Sequence, residues 1–284
     1  MTSSATARID HLLTYVPDLE AAADLFQRMG FHLSPLSRIE QMGVANRMAL
    51  MRPQSPGQAS YIELMSPYEP ARLPPPLQPV LSGGPGIGSM VLVADDVSGF
   101  RTSVLAQGFE CAPPAHVTRE WKIPGEPSVF PEFDVMLPVE APLRFNACKY
   151  YNLHLYLRED WTAHPNGAIR LLKVLAVADD PADLDFFASL FGQPGVVQAD
   201  GSLLLPSGEI ALEIIPADGL KSRFGIEPDG RAPGYLGYEI EVESLQKLRT
   251  QLQAGGVPFQ DGDGLISITP DTGLGNLILF SEAA

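Results

Sequence analysis

Cysteine is scarce in this chain, with only Cys111 and Cys148 among 284 residues. Two thiols make no disulfide framework in a chain this long, so stability must come from a packed core, and a cytoplasmic setting with both thiols reduced is expected. Basic residues are also few: 19 Lys and Arg face 34 Asp and Glu, a net charge of −15. A field of that sign repels phosphate backbones, and no basic cluster interrupts it, which argues against nucleic acid as a partner. No apolar run reaches about 18 residues, so no membrane span and no membrane partner is expected. Residues 1–7 are polar and lack the apolar stretch of a secretory signal, and none is expected there.

What is present is ample material for a core. Hydrophobic residues are 45% of the chain and charged ones 19%, which excludes disordered and fibrous classes. The 27 prolines and 26 glycines are dispersed, as expected of many short elements joined by turns. One unit recurs four times, in IDHLLTYVPDLEAAADLFQRMGFHL, IGSMVLVADDVSGFRTSVLAQGFEC, LLKVLAVADDPADLDFFASLFG and GYLGYEIEVESLQKLRTQLQAGGVPF. Each opens with an apolar strand and then a helix whose first free N–H groups can be capped by Asp18, Asp96, Asp180 or Ser244. Leu19, Ala22, Ala23, Leu25 and Phe26 share one helical stripe. Gly30, Gly108, Gly192 and Gly255 stand where each helix must stop in a left-handed residue.

Three strand-like runs follow each helix, so the unit reads as βαβββ and the fold class as α+β. Paired units curl eight strands into an open cup, and four units give two cups. The N-terminal domain is expected over 1–163, with modules 8–66 and 86–160. The C-terminal domain is expected over 164–284, with modules 168–216 and 234–282. The turn-rich stretch 161–167 separates them, and the Pro- and Gly-rich stretch 67–88 links the first two modules. The glycines of that linker do not make a phosphate loop, because a strand rather than a helix follows them. The insertion 113–131, with Trp121 and nearby Phe130 and Phe133, reads as a lid or a packing loop.

Paired βαβββ units opening on I-D-H and closing on Y-I-E-L resemble the vicinal oxygen chelate superfamily, and in particular its glyoxalase-like members. GVANRMALM, FNACKYYN and DGSLLLPSGEIALEII extend that resemblance over nearly the whole chain. It implies a divalent metal at the floor of a cup, held by His and Glu from the first and last strands of paired units, with a substrate chelating through adjacent oxygens. His11 and Glu63 stand at the family's ligand positions. Imidazole with carboxylate suits Zn, Mn, Fe or Ni. In the second unit Ser89 replaces the histidine. On the closing strand, after Cys148 and Lys149, Tyr150 and Tyr151 stand where imidazoles are expected, and the expected carboxylate falls at His154. In the third and fourth units the counterparts of His11 are Lys173 and Gly237, and those of Glu63 are Glu213 and Phe280. The second cup therefore reads as a scaffold or dimerisation half.

Alternation places Asn146, Cys148 and Tyr150 on one face, Lys149 and Tyr151 on the other. If the first face lines the cup, Tyr150 is an acid or oxyanion donor, with His154 assisting. Asn46, Arg47, Ser89 and Cys148 are the remaining candidate substrate contacts. Arg47 would suit a carboxylate or phosphate, or a surface ion pair. The resulting expectation is a metal-dependent lyase or isomerase acting on a small carbonyl or vicinal-oxygen substrate in the N-terminal cup. The alternatives are a metal-free small-molecule binder of the bleomycin-resistance type and a ring-cleaving dioxygenase of the extradiol kind. A homodimer joined through exposed sheet edges is also expected.

Overall fold

Asp18 accepts hydrogen bonds from the backbone N–H groups of Glu20 and Ala21, both 3.0 Å, and so starts α1 (Leu19–Arg28). Leu19, Ala22, Ala23, Leu25 and Phe26 form its buried stripe. Asp96 and Ser244 cap α2 (Val97–Ala106) and a later helix over Leu245–Ala254, and Asp180 caps a short 3-10 turn over Pro181–Leu184. The computed structural model describes residues 6–283 apart from 228, 229, 231 and 263. Residues 1–5, part of the opening stretch where no secretory signal is expected, lie outside the described residues.

The first sheet contains β1 (Arg8–Tyr15), β2 (Ser37–Ile39), β3 (Val44–Met51), β4 (Ser60–Pro67), β5 (Gly86–Val93), β6 (Ala115–Thr118), β7 (Glu132–Val139) and β8 (Phe145–Tyr150). Its order is β2-β3-β4-β1-β5-β8-β7-β6, two four-stranded halves joined where β1 and β5 run antiparallel. After the short helix α3 (Glu159–Thr162), the second sheet repeats the pattern. It contains β9 (Ala168–Ala178), β10 (Val196–Val197), β11 (Leu203–Ser207), β12 (Ile210–Pro216), β13 (Gly234–Val242), β14 (Gln260–Gly262), β15 (Leu265–Ile268) and β16 (Leu277–Glu282). Its order is β10-β11-β12-β9-β13-β16-β15-β14, with helices α4 (Phe186–Phe191), α5 (Leu220–Phe224) and α6 (Leu245–Ala254). Four βαβββ units in two mixed eight-stranded sheets make the α+β architecture read from the repeats.

One hydrophobic core takes in the outer faces of both sheets and the helices laid on them, including Leu12, Phe26, Phe145, Val174, Phe187 and Phe280. Hydrogen bonds stitch the halves together: Ala7 N–H donates to the Leu190 carbonyl at 3.0 Å, and Ile9 N–H to the Ser207 side-chain Oγ at 2.8 Å. Among the described residues no helix is long and apolar enough to cross a membrane.

One helix stop differs from the expectation. Gly30, Gly108 and Gly192 are left-handed, but in the fourth unit that residue is Gly256 (φ 63°) and Gly255 is right-handed. Gly255 has a separate reason to be glycine: a Cβ there would collide with the Arg28 carbonyl at the end of α1.

His164 lies in the turn between the two sheets and ties three segments together. Its Nε2 donates to the Leu50 carbonyl at 2.8 Å, and its Nδ1 accepts from His32 N–H at 3.1 Å. Both ring nitrogens are thereby used in the neutral form. Burial pushes its pKa down from 6.5 to about 4. The folded state therefore resists a proton that the unfolded chain takes up. Stability is expected to be unaffected by this residue above pH 6.5 and to fall by up to about 3 kcal/mol as pH drops to 4. Denaturant titrations from pH 7 to 4.5 on the parent and on His164→Gln check this: the variant should show the shallower slope, and equal slopes would contradict it.

Candidate functional site

The site begins with an irregularity in β1. The register against β5 slips between Ile9 and His11, so Asp10 is an extra residue in the strand, a bulge. Strict alternation would send Asp10 and His11 to opposite faces. The bulge brings both into one hydrogen-bonded cluster. Asp10 is fully buried, and its Oδ1 lies 2.6 Å from His11 Nδ1 and accepts from the Tyr150 hydroxyl at 2.6 Å. Its Oδ2 accepts from Ala59 N–H at 2.7 Å.

A carboxylate that accepts the Nδ1 proton leaves the other ring nitrogen as the outward-facing donor atom. His11 Nε2 lies 3.0 Å from the Tyr61 hydroxyl and 3.7 Å from Glu63 Oε2. Tyr61, Glu63 and Met65 share one face of β4, which runs parallel to β1 with His11 opposite Tyr61 and Leu13 opposite Glu63. The His11 ring stacks on the Tyr61 ring at 3.9 Å, and Tyr61 and Tyr150 hydroxyls stand 3.0 Å apart. Asn46, also fully buried, donates to Glu63 Oε1 at 2.5 Å.

These groups close one end of a largely enclosed cavity. Leu13, Val44, Met65, Leu77, Val91 and Val135 make most of its wall apolar. Among the described residues Glu63 is the only carboxylate and Arg119 the only strong cation that line it. Burial, with the charges of Glu63 and Asp10, pushes the Tyr61 hydroxyl well above its ordinary pKa. Burial and Asp10 do the same to Tyr150, and burial raises Tyr156 to about 12 despite Arg119. Burial and Asp10 likewise push the Cys148 thiol up. At neutral pH the tyrosines are proton donors and, with no ion beside it, Cys148 is a thiol rather than a nucleophile.

The structure brings His11, Glu63, Asn146, Cys148 and Tyr150 to the cavity wall, with Asn46 bonded to Glu63. It does not bring His154, which is exposed in a 3-10 turn (Leu153–Leu155) after β8 and lines no part of the cavity. Arg47 points to the outer face, where it pairs with Glu20 of α1 at 3.3 Å.

The register also reassigns the counterpart of Glu63. His11 pairs with Val91 and Leu13 with Ser89, so the two halves of the sheet exchange His11 with Ser89 and Leu13 with Val91. Leu13 faces Glu63 on β4, and Val91 faces Asn146 on β8. The expected carboxylate position is therefore Asn146, not His154. Ser89, fully buried, donates to Asn146 Oδ1 at 2.7 Å, so the second half presents a neutral pair.

In the second cup the same logic places Leu279 rather than Phe280 opposite Glu239; Phe280 faces the shared outer core. Lys173 stands where His11 does, with its Nζ 3.0 Å from Glu239 and 3.5 Å from Glu213. Arg223 of α5 bonds Glu213 at 2.5 Å. The carboxylates of that cup are thus held by the chain's own cations, and Leu220 and Phe224 of α5 pack on its apolar floor.

Asp10, Tyr61, Arg119 and Tyr156 are site residues that the sequence reading did not single out. Tyr61 had a signal, since it precedes Glu63 by two residues on the same strand. Arg119 lies in the insertion 113–131 and Tyr156 follows a 3-10 turn, and neither segment has a periodicity to read.

The donor set offers a divalent metal one imidazole and one carboxylate. His11 Nε2 and Glu63 Oε2 are close enough to share one ion, and a buried carboxylate orients the imidazole from behind. Asp10, His11 and Cys148 also form a buried group with donor atoms within 4.8 Å of one another. Asp10 and Nδ1 already satisfy each other, however, which leaves His11 Nε2 with Glu63 as the pair facing the cavity.

Comparison with known proteins agrees with this architecture. A family model described as a glyoxalase-like domain matches residues 9–189, more than half of the chain. A search of curated proteins finds no match. Among solved structures, a hypothetical protein from Staphylococcus aureus superposes with TM-score 0.65 at 12% identity, covering 98% of this chain and 100% of that one. The Mn(II)-bound glyoxalase from Novosphingobium aromaticivorans gives 0.59 at 15% identity, covering 98% and 83%. A mutant of 4-hydroxymandelate synthase from Streptomyces coelicolor gives 0.57 at 13%, covering 98% and 93%. At such identities these likenesses speak for the fold alone.

Proposed function

The chain belongs to the glyoxalase-like domain family, and on that premise we propose that its first cup is a metal-dependent active site for proton transfer on a small carbonyl substrate. The observation that carries this is the facing pair of His11 Nε2 and Glu63 Oε2, 3.7 Å apart at the floor of an otherwise apolar cavity. His11 and Glu63 would hold the ion, which would supply Lewis acidity toward a substrate oxygen.

The remaining work falls to the chain's own groups. Glu63 Oε1 is tied to Asn46, so the carboxylate oxygen in the cavity able to take a proton from carbon is Oε2 when it is not holding the ion. Tyr150 and Tyr61, joined through their hydroxyls, hold protons at the same floor and can return one to a developing oxyanion. The apolar wall excludes water, which strengthens each of these interactions. Asp10 keeps His11 in one tautomer.

In heavy water, with a divalent metal present, the parent protein is expected to exchange hydrogen for deuterium beside the carbonyl of at least one member of a panel of small 2-oxo and 2-hydroxycarbonyl compounds. Tyr150→Phe should slow exchange by about 10²-fold or more. No exchange by the metal-supplemented parent on any compound, followed by proton NMR, would sink the reading.

A further inference from the structure

Arg119 lies just beyond β6, in the insertion 113–131, and it is 4% exposed. Its guanidinium sits over the rings of Trp121 at 4.9 Å, Tyr156 at 5.2 Å and Phe133 at 5.3 Å. Burying a charge costs free energy unless hydrogen bonds replace the lost water, and an arginine has five N–H donors to satisfy. Among the described residues only Nη2 is bonded, to the Tyr156 hydroxyl at 2.8 Å and weakly to Met48 sulfur at 3.6 Å. Nη1 is 4.0 Å from Glu63 Oε1, beyond hydrogen-bond reach, and the buried Nε has no partner. A fully enclosed cation with unused donors therefore lines the same cavity as Glu63.

From this we infer that Arg119 anchors a carboxylate of the substrate, and that the cup takes monocarboxylic acids with an apolar aliphatic or aromatic body. The inference rests on the reading of the first cup as a substrate site and adds the substrate class to it. In a chain of net charge −15 an anion enters a cavity only where a local cation offsets the field. The planar fork of a guanidinium suits the two oxygens of a carboxylate. A phosphate monoester fits less well: it brings about two negative charges, and one guanidinium already facing Glu63 cannot balance them. The apolar wall of Leu13, Val91 and Val135 matches a hydrocarbon body rather than a second polar group.

The test is calorimetric titration of the full chain, stripped of metal with a chelator, with phenylacetate and 4-methylpentanoate against their neutral amides. The acids are expected to bind at least about 10-fold more tightly than the amides. Arg119→Met should abolish that preference, and Arg119→Lys, which keeps the charge but loses the fork, should retain only part of it. Because the lysine variant carries the same question, misfolding of the methionine variant does not end the experiment. Equal binding of acids and amides, no binding of either acid by the parent, or an undiminished preference in Arg119→Lys overturns the inference. The metal is removed throughout, so a chain that binds no metal can still pass, and a chain that binds metal can still fail.

Discussion

Replacing Asp10 by alanine is expected to destabilise the protein by about 3–5 kcal/mol, lowering the melting temperature by roughly 10 °C. Asp10 is fully buried and accepts from Ala59 N–H and the Tyr150 hydroxyl while facing His11 Nδ1, so its removal strands three donors away from water. Each stranded donor costs about 1–3 kcal/mol, and these costs are not additive because the side chains can shift. Asparagine is no remedy. With its carbonyl turned to Ala59 N–H, the amide's NH₂ group faces the Tyr150 hydroxyl and His11 Nδ1, which can accept from it only by giving up the proton arrangement they hold beside the carboxylate. Asp10→Asn is therefore expected to cost about 2 kcal/mol, more than an isosteric change at an unpartnered position. Thermal and denaturant unfolding measure both variants. A cost below about 1 kcal/mol for the alanine variant would mean that the cluster does not hold the floor of the cup together.

The second large effect separates function from folding. Glu63→Gln keeps an oxygen to accept from Asn46 and keeps the volume of the side chain, so the fold should survive with a modest loss. What it removes is the charge that a divalent ion needs. Loss of groups one shell further out already weakens metal sites by about 10–100-fold, so loss of this ligand is expected to weaken Mn(II) or Zn(II) binding by more than about 100-fold. His11→Ala should match it. Isothermal titration of each metal into chelator-treated protein measures this, beside a melting curve showing that each variant is folded. Retention of parent-like affinity in Glu63→Gln would place any metal elsewhere.

The fold is legible in the sequence because its signals are local and repeated. Asp18, Asp96 and Ser244 cap their helices with no help from distant residues. The alternation that places Asn146, Cys148 and Tyr150 on one face is a property of the strand alone, and those three side chains line the cavity. What is not legible depends on register or on irregularity. The counterpart of Glu63 is fixed by which residue of β8 pairs with Val91, and motif spacing pointed eight residues too far, to His154 rather than Asn146. Phe280 and Leu279 differ by one residue, yet a one-residue slip moves a side chain to the opposite face of a sheet. Asp10 is hidden for a similar reason: only the bulge in β1 turns it toward His11. Arg119 and Tyr156 reach the cup from an insertion and a turn, where no period exists to be read.

The central claim is that His11 and Glu63 hold a metal at the floor of the first cup. Elemental analysis of untagged protein after loading with Mn(II) and gel filtration tests it most directly, with His11→Ala and Glu63→Gln run alongside. About one ion per chain in the parent and almost none in either folded variant is the expected result. A folded parent that retains no ion, or variants that retain as much as the parent, would contradict it.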